Sequence, residues 1–205
     1  MGFMVKLLIA FILVTIGLVL LLMFKNSLTR GVGGKILAFI VLFLLPVMLL
    51  AGGVFAHYEK SKSNEFCLSC HAMEPYGKSL NIDDSDYLPA AHFQNNRVPQ
   101  ENACYTCHTS YTMFGGLKSK LEGLKHVYVY YLGNIPDKIE LYEPYENRGC
   151  LYCHDGARSY EENMMHADML DELIEDETSC LDCHSLTHNI EELADLKLWR
   201  KGEKE

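Results

Sequence analysis

The chain has 205 residues, 49% of them apolar, with 18 basic and 27 acidic side chains. All of the acids fall in residues 57–205, where 14 bases leave a net charge of −13; such a surface argues against nucleic acid and for a basic protein partner or plain solubility. Residues 1–56 carry only Lys6, Lys25, Arg30 and Lys35 as charges, so the chain has two regions of unlike character.

In chain order the first elements are apolar. Leu7–Phe24 and Ile36–Ala56 are 18 and 21 residues without a charge, and a bilayer core takes about 20 residues of helix. Both read as transmembrane helices, a hairpin joined by KNSLTRGVGGK, with a re-entrant first segment as the plainer rival. Pro46 would kink a soluble helix, but in a membrane neighbouring helices satisfy the freed carbonyl.

All eight cysteines follow in one pattern, C-x-x-C-H: Cys67, Cys70 and His71; Cys104, Cys107 and His108; Cys150, Cys153 and His154; Cys180, Cys183 and His184. This is the pattern of c-type haem attachment, in which both thiols add to the porphyrin vinyl groups and the adjacent histidine reaches the iron. Two zinc sites built from paired C-x-x-C units, or a disulfide framework, need no histidine after every second cysteine. Four covalently attached haems are therefore expected, numbered here 1 to 4 along the chain. Only the first motif continues as C-x-x-C-H-x-M, with Met73 two residues past His71.

Haem is attached to such motifs outside the cytoplasm, so residues 57–205 belong there. The first apolar segment lacks a small-residue cleavage site, and its removal would leave one crossing that carries the motifs inside. Two crossings put the N-terminus outside and the connector inside, where Lys25, Arg30 and Lys35 outnumber the lone Lys6, as the positive-inside rule expects. The expected layout is two helices in the inner (cytoplasmic) membrane over residues 1–56 and a periplasmic tetrahaem domain over residues 57–205.

For a conventional core that second region is small. The haems are expected to supply what is missing, giving a mainly α and irregular fold of short helices and loops with little or no sheet. A weak internal repeat is visible. His92 stands 12 residues before Cys104 and His166 stands 14 before Cys180, so each half reads motif, lone histidine, motif. Between them the periodicity predicts a helix over Phe114–Tyr131, with Phe114, Leu117, Leu121, Leu124 and Tyr128 as an apolar stripe that packs on the haem core or lies at the membrane surface. The terminal NIEELADLKLWRKGEKE reads as a solvated charged helix or a partner contact.

Four motif histidines do not complete four six-coordinate irons. His57, His92, His126, His166 and His188 remain as candidate second ligands.

With EFCLSCHAMEPY from Glu65, the lone histidine in HFQNNRVPQENACYTCH, MMH ahead of SCLDCH, and His188 four residues past the last motif histidine, the chain resembles the NapC/NirT family of membrane-anchored tetrahaem cytochromes, which includes NrfH and CymA. The resemblance spans roughly residues 50–190. It implies a quinol dehydrogenase that draws on the membrane quinol pool, with menaquinol as donor, and feeds a periplasmic reductase or a soluble or multihaem cytochrome in anaerobic-type respiration, within a hetero-oligomeric complex in some members. It implies that haem 1 lies nearest the membrane, with Met73 able to replace His71 as its ligand. It also implies His92 as second ligand of haem 4, His188 of haem 2 and His166 of haem 3, the last marking the NapC/CymA branch. His126 matches the place of an aspartate beside haem 1 in NrfH, and either ligates that haem, lines the quinol pocket, or is simply packed. A quinol-site lysine of NrfH corresponds to Lys118 or Lys120, of which Lys118 points closer to the face of His126. His57 has no counterpart, and the extra first helix departs from the family's usual single anchor.

Two other function classes stay open on the residues alone. One is a non-enzymatic, membrane-tethered haem relay or structural electron-transfer subunit of a respiratory complex, and the other a reductase with an open haem for a water-soluble substrate.

Overall fold

The structure, a computed structural model, describes residues 3–134, 136, 139 and 141–199. It divides into two compact units, residues 1–62 and 63–205.

In the first unit, helix α1 (Phe3–Phe24) is joined by a 3-10 turn at Asn26–Thr29 to α2 (Val32–Phe39), which continues through a π-helical turn, Ile40–Leu44, into α3 (Leu45–Lys60). The π turn has a local cause. Pro46 brings no N–H and its ring would press on the carbonyl of Leu42, and widening the preceding turn, with the Leu45 N–H reaching the Ile40 oxygen, makes room without breaking the helix. The run from Val32 to Lys60 holds 29 residues, about 43 Å at helical rise, so it exceeds a hydrocarbon core of about 30 Å and its polar last turn, His57–Lys60, projects beyond one. Gly34 permits the tight connector, because a Cβ there would lie 1.7 Å from the Leu28 carbonyl oxygen. Helix α1 packs on α3, yet most of the apolar side chains face outward: Phe11 is 50% exposed, Phe39 59% and Leu50 71%. Such a surface suits lipid rather than water.

The second unit consists of short helices: α4 (Asn64–Cys67), α5 (Glu74–Ser79), α6 (Leu88–Gln94), α7 (Ala103–His108), α8 (Gly115–Leu132), α9 (Arg148–His154), α10 (Arg158–Glu161), α11 (Met164–Ala167), α12 (Leu170–Ile174) and α13 (Cys180–Cys183). Among the described residues there is no sheet, only one isolated bridge between Ile82 and Leu198. The fold is thus the mainly helical, sheet-poor one expected. Its apolar centre is small, Ile82, Tyr87 and Ala90 packed by Leu186, Leu193, Leu196 and Leu198. These leucines overturn the solvated helix expected for the C-terminal stretch: up to Trp199 it runs as irregular chain, tied by Asp83 N–H to Lys197 O and Trp199 N–H to Asn81 O. Burial of the leucines outweighs helix propensity there.

Helix α8 coincides with the predicted one within a residue. It starts where it does because Gly115 lets the Ser110 carbonyl come close; a Cβ at 115 would lie 1.5 Å from that oxygen. Its apolar stripe is uncovered within this unit, with Phe114 71% and Leu121 57% exposed.

Candidate haem centres

Motifs 2 and 3 lie wholly on α7 and α9, the cysteines of motif 4 form α13, and motif 1 runs from the end of α4 into a 3-10 turn, His71–Met73. One helical turn brings the two cysteines of C-x-x-C to the same side with the histidine next to them, which is the arrangement a doubly tethered porphyrin requires. No disulfide joins any of the eight cysteines.

The motifs adjoin in the order of the sequence. Helix α4 packs on α7, bringing motif 1 against motif 2, and a hydrogen bond from Cys180 N–H to Asn147 joins motif 4 to motif 3. Between these pairs, Tyr145 donates its hydroxyl proton to the Cys107 carbonyl oxygen, and the rings of Tyr111 and Tyr152 stack at 3.9 Å. Two asparagines lock the pairs. Asn64 Oδ1 accepts the Cys104 N–H at 3.1 Å and Asn147 Oδ1 accepts the Cys180 N–H at 2.8 Å. Both asparagines escaped the sequence reading, although a signal existed: each stands three residues before the first cysteine of an odd-numbered motif, where the even-numbered motifs have glutamate.

Three of the lone histidines face a motif histidine. Ring centres are 6.1 Å apart for His188 and His108, 5.9 Å for His92 and His154, and 6.2 Å for His166 and His184. The ring contacts set His92 beside motif 3 and His166 beside motif 4, whereas the resemblance implied haem 4 for His92 and haem 3 for His166. Each ring is also held at Nδ1. His92 Nδ1 lies 2.7 Å from the Leu88 carbonyl, one helical turn back on α6, and His166 Nδ1 lies 3.2 Å from the Tyr160 carbonyl. His188 Nδ1 lies 2.7 Å from the hydroxyl of fully buried Ser79, which itself donates to the Tyr76 carbonyl. Carbonyl partners require the ring proton on Nδ1, which leaves Nε2 as the lone-pair donor, the usual arrangement for a metal-ligating histidine. Burial, and after it His108, holds the His188 pKa down at about 4, so the ring is neutral as a ligand must be.

These residues fit haem. An imidazole nitrogen binds a metal at about 2 Å, so two rings sharing one metal have their centres roughly 6 Å apart. Tyr160, 7% exposed, has a buried hydroxyl without a partner, and its ring touches that of His166 at 4.7 Å and lies 6.4 Å from that of His154; a donor in that place suits the polar edge of a porphyrin. Among the described residues no three His, Cys, Asp or Glu side chains converge as a bare-ion site would need.

Motif 1 differs. His71 is exposed and has no histidine ring against it among the described residues, and Met73 is half-buried, its N–H bonded to the Cys70 carbonyl. His126 lies against Tyr142 at 4.5 Å, with Lys125 over the same ring at 3.9 Å. Burial first, then Lys125, lowers the His126 pKa. Lys118 pairs with Glu143 at 2.5 Å and with Glu122 at 3.8 Å, and the Glu143 hydrogen bond raises its pKa. Lys120 lies over the ring of Tyr105, inside motif 2, at 4.7 Å. A shallow apolar groove of about 430 Å³ runs along α8 between Phe114, Leu117, Leu121 and Lys118, Glu122, Lys125. His57 is exposed on the last turn of α3.

Comparison with known proteins agrees with this chemistry. The family model described as NapC/NirT cytochrome c family, N-terminal region, matches residues 30–193. Cytochrome c-type protein NapC of Escherichia coli (strain K12) is 25% identical over 163 residues, covering 71% of this chain and 78% of NapC. NapC of Haemophilus influenzae is 24% identical over 164 residues, covering 71% and 77%. Cytochrome c-type protein TorC of Escherichia coli (strain K12) is 26% identical over 152 residues, covering 65% of this chain and 37% of TorC. No solved structure matches the chain. Two apolar helices long enough to cross a membrane, motifs for covalent haem, and a match over most of its length make the chain a membrane-anchored electron-transfer cytochrome, a member of the NapC/NirT cytochrome c family.

Proposed function

We propose that the chain is a multi-pass tetrahaem quinol dehydrogenase that oxidises menaquinol and passes the electrons to a periplasmic reductase or cytochrome. The outward face of α8 carries this reading. A substrate dissolved in the bilayer needs an apolar surface beside proton-handling groups, and Leu117, Leu121 and Leu124 are each more than half exposed along the face that bears Lys118 and leads to His126.

Covalently held haem supplies a one-electron store at each motif. The assignments the ring contacts support are His108 with His188, His154 with His92 and His184 with His166, which leaves motif 1 as the centre of a different kind, with Met73 in place of His71. A thioether ligand raises a haem's potential relative to imidazole, which favours arrival of electrons at motif 1.

Oxidation of a quinol to a quinone releases two electrons and two protons. His126, kept neutral by burial and by Lys125, takes one proton on its ring, and water takes the other. Lys118 is a poor base, because Glu143 holds it as an ammonium. It serves as a hydrogen-bond donor to the quinol oxygen, stabilising the negative charge that develops as the proton leaves. Lys120, over the Tyr105 ring of motif 2, places the same charge on the haem side of the site. Haems held at the four motifs would offer the electrons a path in the order in which the motifs adjoin, 1 to 2 to 3 to 4.

Leu121→Asp tests the groove. The reading requires a raised KM for menaquinol with haem content and spectra unchanged, and an unaltered KM contradicts it.

A further inference from the structure

The two asparagine locks are copies of one device. Asn64 and Asn147 each stand three residues before the first cysteine of their own motif, Cys67 and Cys150, and reach 40 and 33 residues ahead to the first cysteine of the next. There the amide oxygen accepts the cysteine N–H, a group at the start of a short helix with no partner inside that helix. The amide nitrogen of the same side chain donates to carbonyls just ahead of the second cysteine, Gln100 O at 2.8 Å for Asn64 and Thr178 O at 2.7 Å for Asn147. Asn147 adds a bond to Leu173 O at 2.9 Å, and both backbone N–H groups are also engaged, Asn64 with Glu101 O and Asn147 with Asp176 Oδ1. At 1% exposure Asn147 is fully satisfied inside the protein.

The geometry is that of a two-sided clamp. It grips the first turn of the following motif helix by donor and acceptor together, and it ties that helix to the asparagine's own motif. Since each first cysteine tethers a porphyrin, holding Cys67 to Cys104 and Cys150 to Cys180 holds the two porphyrins of a pair at one separation and tilt. We infer that Asn64 and Asn147 are positioning residues that set the haem-to-haem geometry within pairs 1–2 and 3–4. The contact between motifs 2 and 3 uses a different device, Tyr145 and the Tyr111–Tyr152 stack. This inference rests on covalent haem at all four motifs.

The experiment uses the full-length, haem-loaded protein in detergent, with variants Asn64→Ala, Asn64→Asp and Asn147→Ala. Covalent haem is counted after denaturation, and the oxidised native protein is read by electron paramagnetic resonance together with its stepwise reduction potentials. With four haems retained, Asn64→Ala shifts the signals and potentials of one haem pair and leaves the other unchanged, while Asn147→Ala does the reverse. Asn64→Asp, which keeps the oxygen that accepts from Cys104 but loses the donor to Gln100 O, shifts the same pair by less than Asn64→Ala. If Asn147→Ala loses haem because its buried site collapses, the two Asn64 variants decide alone. Four haems with signals and potentials of the parent in Asn64→Ala, or a change in both pairs from that one substitution, overturns the clamp. A parent with fewer than four covalent haems overturns the haem reading instead.

Discussion

Ser79 Oγ lies 2.7 Å from His188 Nδ1, and the hydroxyl's own proton is committed to the Tyr76 carbonyl oxygen at 2.7 Å. The serine must therefore accept from His188, which fixes the ring proton on Nδ1 and leaves the Nε2 lone pair free for a metal. Ser79→Ala leaves that N–H buried without a partner. Losing the partner that orients a ligating histidine weakens ligation about 10–100-fold, so the reduced variant is expected to bind carbon monoxide at one haem where the parent binds none there, measured by optical titration.

The pairing of His92 with His154 is open to a non-additivity test. His92→Ala and His154→Ala act on the same iron, so the double variant should open one haem to carbon monoxide, as each single variant does. His92→Ala combined with His184→Ala should open two. The reverse counts would restore the pairing that the family resemblance implied.

Met73→His is expected to change the spectrum and lower the potential of one haem, the one at motif 1, with the other three unaltered and quinol turnover reduced. Redox titration followed by optical and paramagnetic resonance spectra checks this.

Gly115→Ala introduces a Cβ where only 1.5 Å separates it from the Ser110 carbonyl oxygen, so the start of α8 must shift. Overpacking of this kind costs about 1–3 kcal/mol. A lower midpoint of thermal unfolding is expected, together with slower quinol oxidation, because the same helix carries Lys118 and His126.

Much of this architecture was legible in the residues. The apolar runs before Ala56, the four C-x-x-C-H motifs and the stripe from Phe114 to Tyr128 are local patterns, set by membrane thickness, thiol chemistry and helical periodicity. What escaped depends on contacts distant in sequence. The role of Asn64 is decided 40 residues away and that of Ser79 109 residues away, at His188. Which motif His92 and His166 face is likewise a matter of how α6 and α11 are laid down, and no spacing encodes it. Helical geometry set Lys118 closer than Lys120 to the face of His126, but its ion pair with Glu143 arises from a loop 25 residues further on. The leucines of the C-terminal stretch read as part of a charged helix, because the small core that takes them up, at Ile82, lies more than a hundred residues earlier.

The most direct test mixes the purified, haem-loaded protein in detergent with a menaquinol analogue and follows haem absorbance by stopped flow. Rapid reduction in the parent is predicted, slowed about 100-fold in His126→Ala while haem content and the spectra of the haems at motifs 2 to 4 stay those of the parent. Haem that no quinol reduces, in a protein that dithionite reduces fully, would contradict the account.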